Sequence, residues 1–241
     1  MKMFAVMMRL HAPTSVSLNG SIDVVLAAGT DVMDLPIWPE PEVLRAVRGT
    51  VASVPRLLHT QDNPRFQIHE FIAGQLLDDV APRGVRVPSH VLDDVAELFA
   101  QLGAVPRDHI PAVPPGWPDD GDTASFAGRL SAITADVHTR FLPEFGGLFD
   151  ALGIPAEPLS TIDRAWAGLW PRPFRLLHTD VHRKNMILSG GRTYFLDWEL
   201  ALWGDPVYDL AVHLHKTAYQ ADEHDTLLAC HKTGQIGMAG L

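Results

Sequence analysis

The chain has 241 residues, 46% of them hydrophobic, with a formal net charge of −10 and a pI near 5.5. This length and apolar content allow one large or two small domains with a real hydrophobic core. The acidic balance argues against a nucleic-acid partner, which needs a basic surface, and the single cysteine, Cys230, excludes an internal disulfide framework and fits a reducing cytosol.

The N-terminal residues 4–10 form a short apolar run that is typical of a buried strand and contains Arg9. Arg9 and His11 interrupt this run before it reaches the length of a secretory signal. No stretch of the sequence approaches the length of a membrane span. We therefore expect a cytoplasmic protein.

Residues 11–41 contain turn signals and several prolines, and they predict no assignable element. The apolar spacing of residues 42–47 predicts a helix that starts at the preceding prolines. Residues 54–58 and 66–72 predict two strands, the second from its alternation and β-branched content. Gly74 then breaks the strand pattern.

Beyond Gly74 the sequence turns helical. Ser89 is expected to cap a helix whose apolar residues recur at steps of three and four; these are Val91, Leu92, Val95, Leu98, Phe99 and Leu102. Proline, glycine and aspartate in residues 108–122 indicate a surface loop. Residues 123–142 and 160–169 again predict helices, the latter capped at its first or second residue.

Residues 176–214 carry the most informative pattern in the chain. His178 and Asp180 precede Asn185, and a Gly-Gly pair between two short apolar segments predicts a β-hairpin that ends just before Asp197. The hairpin folds Asn185 and Asp197 back toward each other, and their oxygens suit a hard divalent cation such as Mg²⁺. Asp180 lies beside them, where a carboxylate can accept the proton of a substrate hydroxyl. This is the pattern of phosphoryl transfer.

The segment after this site predicts a helix over residues 206–219. Asp205 and Pro206 supply the N-cap and the first helical residue. Its apolar face is expected to contain Val207, Leu210, Ala211 and Leu214. His213 and His215 point to different sides of such a helix, which places them poorly for chelation.

The sequence HTDVHRKN, followed by FLDWELALWGDPVYDLA, resembles the aminoglycoside phosphotransferase and choline kinase-like family, whose motifs are close to HGDLHPGN and IDWE…GDPxxDLA. The resemblance implies an α+β, two-lobed protein-kinase-like fold. Residues 1–73 would form a small, shortened β-rich N-lobe on the nucleotide side. Residues 74–241 would form a mainly helical C-lobe with the catalytic loop, the β-hairpin and the metal site.

The same resemblance implies roles for individual residues of the motif. Asp180 would be the catalytic base, and Asn185 and Asp197 would be the Mg²⁺ ligands. His178 and Asp209 would support the catalytic loop.

On the nucleotide side, Arg9 would pair with the phosphates of ATP or GTP, and Glu40 or Glu42 would pair with Arg9. The alternative for Arg9 is a surface position, and for either acid a favourable interaction with a helix N-terminus. The backbone of Phe71 and Ile72 would hydrogen-bond the adenine edge, or these residues are an ordinary strand end.

Two parts of the motif depart from the family pattern. Thr179 replaces a glycine, and Arg183-Lys184 replaces Pro-Gly. Because a β-branched residue disfavours positive φ, we expect a slightly altered catalytic loop.

Three functional interpretations follow. The first is a kinase that moves the γ-phosphate of ATP or GTP onto a hydroxyl of an aminoglycoside-like or other amine-bearing acceptor, an activity associated with antibiotic resistance. A cationic acceptor suits the negative charge, which a solvated acidic surface also explains. The second is a catalytically impaired binding or regulatory protein, because both termini look shortened and no phosphate-covering loop precedes Arg9. The third is a metal-dependent hydrolase that uses His178, Asp180 and His182 with His213 or His215.

Overall fold

The computed structural model describes residues 16–18, 22–26, 36–63, 65–160 and 162–232. Its N-terminal part contains a four-stranded antiparallel sheet with the strand order β1-β2-β4-β3. These strands are β1 (Val16–Leu18), β2 (Ile22–Leu26), β3 (Leu57–Asp62) and β4 (Arg65–Glu70). Helix α1 (Glu40–Val47) precedes β3 in the chain and contacts it.

Helix α1 starts at the prolines, as the sequence predicts. Pro39 is its N-cap residue, and Val43 and Val47 are fully buried on the side that faces the core. The two predicted strands are present with different boundaries. Strand β3 begins at Leu57 and continues to Asp62, because pairing with β4 sets its limits. Strand β4 ends at Glu70, so Phe71 and Ile72 lie in the segment that follows the sheet.

Two smaller antiparallel sheets lie among the other described residues. One has the order β5-β7-β8 and the other pairs β6 with β9. These strands are β5 (Gln75–Leu76), β6 (Arg175–Leu177), β7 (Met186–Ser189), β8 (Arg192–Phe195) and β9 (Leu202–Gly204). Gly74 fits only as glycine, since a Cβ there would lie 2.3 Å from the carbonyl oxygen of Leu188.

In the residues after Gly74 that the structure describes, six α-helices accompany these strands. They are α2 (Leu77–Val80), α3 (Ser89–Ala104), α4 (Thr123–Ala151), α5 (Asp163–Trp166), α6 (Pro206–Thr217) and α7 (Ala221–Lys232). The predicted apolar face of α3 is confirmed, with Leu92 only partly buried. Ser89 does not cap it: the N-cap is Pro88, and no side chain satisfies the first amides.

The predicted limits of α4 and α5 are wrong. Helix α4 continues past residue 142 to Ala151 with Pro143 inside it, although an interior proline removes a backbone donor and disfavours a helix. The predicted helix over residues 160–169 is reduced to the four residues of α5.

Helix α6 starts as predicted and ends earlier. Asp205 is its N-cap, accepting a hydrogen bond from the amide of Val207 at 3.0 Å, and the same carboxylate pairs with Arg172 at 2.5 Å. The helix ends at Thr217. Its buried face differs from the expected apolar one, since it consists of Asp209, Leu210, His213 and Thr217, and Ala211 is exposed.

The predicted surface loop over residues 108–122 is anchored to the core. The indole of Trp117 is buried and donates to the carbonyl oxygen of Trp203 at 2.8 Å. Asp120 accepts from the amide of Phe174 at 2.6 Å, and Asp122 caps α4. In the ranges that the structure describes, no helix combines the length and the apolar character needed to cross a membrane.

Candidate active site

The loop between β6 and β7 holds the first two predicted site residues in direct contact. The side-chain amide of Asn185 donates to the backbone oxygen of Asp180 at 3.0 Å and to its Oδ2 at 2.9 Å. The loop ends in a single 3₁₀ turn, Arg183–Asn185, that leads straight into β7. The structure therefore brings Asp180 and Asn185 together across five residues.

The β7–β8 hairpin carries the chain back to the same place. Gly190 and Gly191 have φ values of 57° and 77°, as a two-residue hairpin turn requires. After the hairpin, the amide of Leu196 donates to the carbonyl oxygen of Asn185 at 2.9 Å. Asp197, the next residue, has a φ of 64°, a left-handed conformation that aspartate tolerates better than most residues. The hairpin thus places the backbone of Asp197 beside that of Asn185.

The residue after Asp197 links the site to the N-terminal part of the chain. The amide of Trp198 donates to Oε1 of Glu40 at 3.1 Å, and the buried indole donates to the carbonyl oxygen of Phe195 at 3.0 Å. Glu40 is the first residue of α1, whereas Glu42 is exposed. Of the two acids considered in the sequence, Glu40 is the one that reaches the site.

Asp209 from α6 holds the start of the β6–β7 loop. Its carboxylate is buried and accepts from the amides of His178 and Thr179 at 2.7 and 2.9 Å. Burial raises the pKa of Asp209 to about 6, although the two amide hydrogen bonds act in the opposite direction. The carboxylate is therefore in a position to fix the backbone just ahead of Asp180.

Thr179 adopts the conformation that we expected a β-branched residue to avoid. Its φ is 63°, a left-handed conformation, at the position where the resembling motif has glycine. Its hydroxyl donates to the carbonyl oxygen of Leu200 at 2.8 Å. This hydrogen bond and the contact with Asp209 hold the residue in an unfavourable conformation.

His178 is fully buried under the loop. Its ring lies 4.4 Å from the ring of Trp198, and its Nδ1 accepts from the amide of Asp180 at 3.3 Å. Burial lowers the pKa of His178 to about 4, so the ring is neutral near pH 7. A neutral, buried ring suits support of the loop better than proton transfer.

Two basic residues that the sequence did not predict as partners contact the Asp180 carboxylate. Lys216 from α6 binds Oδ1, and Nε2 of His182 lies 3.5 Å from Oδ2. Burial opposes the charge of Asp180, but the hydrogen bonds from His182 and Lys216 outweigh it and hold the pKa at about 2. The helical spacing of Asp209, His213 and Lys216, four and then three residues apart, is the sequence signal that points to one shared face.

Helix α6 contacts the loop at two further points. Nδ1 of His213 lies 2.8 Å from the carbonyl oxygen of Val181, and Nε of Arg183 donates to the carbonyl oxygen of Thr217 at 2.8 Å. Nε2 of His213 pairs with the hydroxyl of Tyr219 at 3.0 Å. Both ring nitrogens of His213 are thus engaged, which removes it from the ligand set that the hydrolase interpretation needs.

The remaining nucleotide-side predictions concern Arg9, Phe71 and Ile72. Arg9 lies outside the described residues. Phe71 and Ile72 are half-buried and connect β4 to β5. The connection is held to the hairpin by the hydroxyl of Ser189, which donates to the carbonyl oxygen of Ala73 at 2.7 Å.

The donors at this site fit a magnesium ion. Mg²⁺ is commonly bound by one or two carboxylates and takes substrate phosphates and water for the rest of its coordination. The amide nitrogen of Asn185 faces Asp180, so the amide oxygen lies on the other side of the group, where a cation can bind it. Asp197 would supply the carboxylate.

The family model of the phosphotransferase enzyme family, APH, matches residues 37–237 of this chain. Among curated proteins, Protein LicA of Haemophilus influenzae is 32% identical over 63 residues, a match that covers 25% of this chain and 24% of that protein. The matched part is about a quarter of the length of this relative.

Solved structures with a similar fold extend over most of the chain. The choline kinase LicA from Streptococcus pneumoniae has a TM-score of 0.59 at 14% identity, covering 95% of this chain and 76% of that one. A streptomycin-ATP-APH(2″)-IIa ternary complex has a TM-score of 0.54 at 16% identity, covering 87% and 75%. At these identities the likeness shows the fold alone, and it confirms the expected α+β kinase-like architecture.

Proposed function

The chain belongs to the phosphotransferase enzyme family, and from this premise we propose that it is a magnesium-dependent small-molecule kinase. It transfers the γ-phosphate of ATP or GTP to a hydroxyl group of an aminoglycoside-like or other amine-bearing acceptor. The observation that carries the proposal is the contact between Asp180 and Asn185, made in a loop that Asp209 holds and beside the hairpin that ends just before Asp197.

The nucleotide would be bound between the two parts of the chain. The backbone of Phe71 and Ile72 contacts the base. Arg9 binds the phosphates, and Glu40 pairs with Arg9. Asn185 and Asp197 would hold the magnesium ion, which would neutralise charge on the phosphates. The contact of Glu40 with Trp198 supports this arrangement, because it joins α1 to the residue next to Asp197.

In the transfer step, an oxygen–phosphorus bond forms between the acceptor hydroxyl and the γ-phosphorus, and the bond to the β–γ bridging oxygen breaks. The hydroxyl proton passes to the carboxylate of Asp180. With a pKa of about 2, this carboxylate is a weak base at neutral pH, so it orients the hydroxyl first and accepts the proton late. Positioning therefore contributes more than proton abstraction.

The acceptor class rests on charge and on the relatives. The net charge of −10 favours a cationic small molecule over an anionic one. One of the similar structures is a choline kinase, and another is a complex with streptomycin, an aminoglycoside. Choline and aminoglycosides both combine a hydroxyl with a positively charged nitrogen. We therefore propose that the acceptor of this chain also combines a hydroxyl with a positively charged nitrogen.

A coupled assay of nucleotide consumption against a panel of amino-sugar antibiotics and small amino alcohols tests the proposal. At least one acceptor should be phosphorylated, and Asp180→Asn should lower the rate by about 10²- to 10⁴-fold. Asp222→Asn is the matched control, because Asp222 forms an exposed ion pair with Arg86 away from the loop. Nucleotide binding without consumption on any acceptor would instead support the binding-protein interpretation.

A further inference from the structure

The Asp180 carboxylate is contacted at both of its oxygens. Oδ2 faces the amide of Asn185 at 2.9 Å and Nε2 of His182 at 3.5 Å, whereas Oδ1 is bound by the ammonium group of Lys216. The first two partners belong to the catalytic loop itself. Lys216 is the contact that comes from outside the loop, 36 residues further along the chain.

Helix α6 is fixed to the loop on both sides of this contact. His213 bonds to the carbonyl oxygen of Val181 at 2.8 Å, one residue after Asp180. Arg183 donates to the carbonyl oxygen of Thr217 at 2.8 Å, one residue after Lys216. Buried hydrogen bonds therefore fix the backbone of Asp180 relative to that of Lys216. This fixed arrangement holds the two side chains of the ion pair close together.

The environment of this pair differs from that of an ordinary surface ion pair. The Asp180 side chain is 13% exposed and that of Lys216 is 41% exposed, so the ammonium reaches a sheltered carboxylate from the solvent side. Arg86 and Asp222 show the contrast, with exposures of 59% and 68%. Pairs as exposed as that one contribute little to stability or geometry.

We propose that Lys216 is a positioning residue for phosphoryl transfer, which holds Oδ1 of Asp180 so that the carboxylate is aimed at the acceptor hydroxyl. The inference rests on the proposed kinase function and adds a residue to it. Lys216 forms and breaks no covalent bond in this scheme. The phosphoryl group passes from the nucleotide to the acceptor oxygen, and the proton passes to Asp180.

The test compares Lys216→Met and Lys216→Arg with the wild-type protein in the acceptor assay. Lys216→Met should lower kcat by about 10²-fold, the cost of misplacing a reacting group by about 1 Å. The KM for the nucleotide and the melting temperature should stay at the wild-type values. Lys216→Arg keeps the charge, and its kcat should be about tenfold higher than that of Lys216→Met. Arg86→Met is the control, because it removes a cation from an exposed ion pair and should leave kcat unchanged.

The outcomes separate this inference from the proposed function. Wild-type turnover with an unchanged kcat in Lys216→Met would overturn the role of Lys216 alone. A loss of kcat that is accompanied by a lower melting temperature, with no recovery in Lys216→Arg, would make Lys216 a structural residue and also overturn the inference. Absence of turnover by the wild-type protein on every acceptor would overturn the proposed function, and the role of Lys216 with it.

Discussion

Thr179 shows how a single residue stores strain beside the catalytic loop. Its left-handed backbone, with a φ of 63°, costs an L-residue about 1–2 kcal/mol. Hydrogen bonds from its amide to Asp209 and from its hydroxyl to Leu200 offset part of this cost. The strained residue lies immediately before Asp180.

Substitutions at Thr179 separate the strain from the hydrogen bond. Thr179→Ala removes the hydroxyl and keeps the strain, so its free energy of unfolding should fall by about 1 kcal/mol. Thr179→Gly removes both and should be more stable than Thr179→Ala by roughly 1 kcal/mol. Urea unfolding of the two variants measures the difference. A glycine variant that is no more stable than the alanine variant would show that the conformation is not strained.

His213 makes folding sensitive to acid. Burial lowers its pKa from 6.5 to about 4, although the hydrogen bond to the carbonyl oxygen of Val181 acts in the opposite direction. In the unfolded chain the residue is therefore half protonated at pH 6.5, whereas in the folded chain it is half protonated only at about pH 4. Stability from this group is present above pH 6.5 and is lost as the pH falls through this window.

The variant His213→Gln isolates this effect. The free energy of unfolding of the wild-type protein should fall more steeply between pH 6.5 and pH 4.5 than that of the variant, by up to about 1.4 kcal/mol per pH unit. Asp209 acts in the opposite sense, because its raised pKa gives stability below pH 4 that is lost as the pH rises toward 6, but it is present in both proteins and cancels. Parallel slopes would show that His213 is not buried in its neutral form.

At the scale of elements, α6 is the support of the site. Its buried face supplies Asp209 and His213 to the loop, and its last turn supplies Lys216. The sequence predicted where this helix starts, since an aspartate followed by a proline is a local signal. It did not predict the polar buried face, because periodicity assigns burial to apolar residues. The pairing of Lys216 with Asp180 was equally hidden, since it depends on how two distant segments pack.

The β7–β8 hairpin and strand β3 show the same difference between features set by local sequence and features set by tertiary packing. The hairpin was predicted correctly because the φ values of Gly190 and Gly191 are a property of the turn itself. The limits of β3 were wrong because they depend on its pairing with β4. The resemblance of the motif indicated the fold, whereas the side-chain contacts of Asp180 depend on tertiary packing and could not be read from the sequence.

The docking of the β4–β5 connection on the hairpin depends on Gly74. In Gly74→Ala the added methyl group would meet the carbonyl oxygen of Leu188 at 2.3 Å, so we expect a loss of about 1–3 kcal/mol in the free energy of unfolding. Gly128→Ala is the control, because that position lies within α4 with open space around it and should be stabilised by about 0.5–1 kcal/mol. Equal effects of the two changes in chemical denaturation would contradict this account of the β4–β5 connection.

At the scale of the whole molecule, the site lies where the α1 region meets the C-terminal helices. Glu40 contacts Trp198 from one side, and the loop of Asp180 is held from the other by α6. A nucleotide bound here would contact both parts and stabilise the folded chain, by about 2.7 kcal/mol at a concentration one hundred times its Kd. We propose that Asn185 and Asp197 bind the metal ion and the nucleotide, whereas Asp180 binds the acceptor.

The most direct test is isothermal titration calorimetry of ATP and GTP, with and without Mg²⁺, on the wild-type protein, Asp197→Asn and Asp180→Asn. The account predicts that Mg²⁺ strengthens nucleotide binding by the wild-type protein and by Asp180→Asn. Asp197→Asn should lose this strengthening. Equal metal dependence in Asp197→Asn and the wild-type protein, or its loss in Asp180→Asn alone, would contradict the assignment of the site.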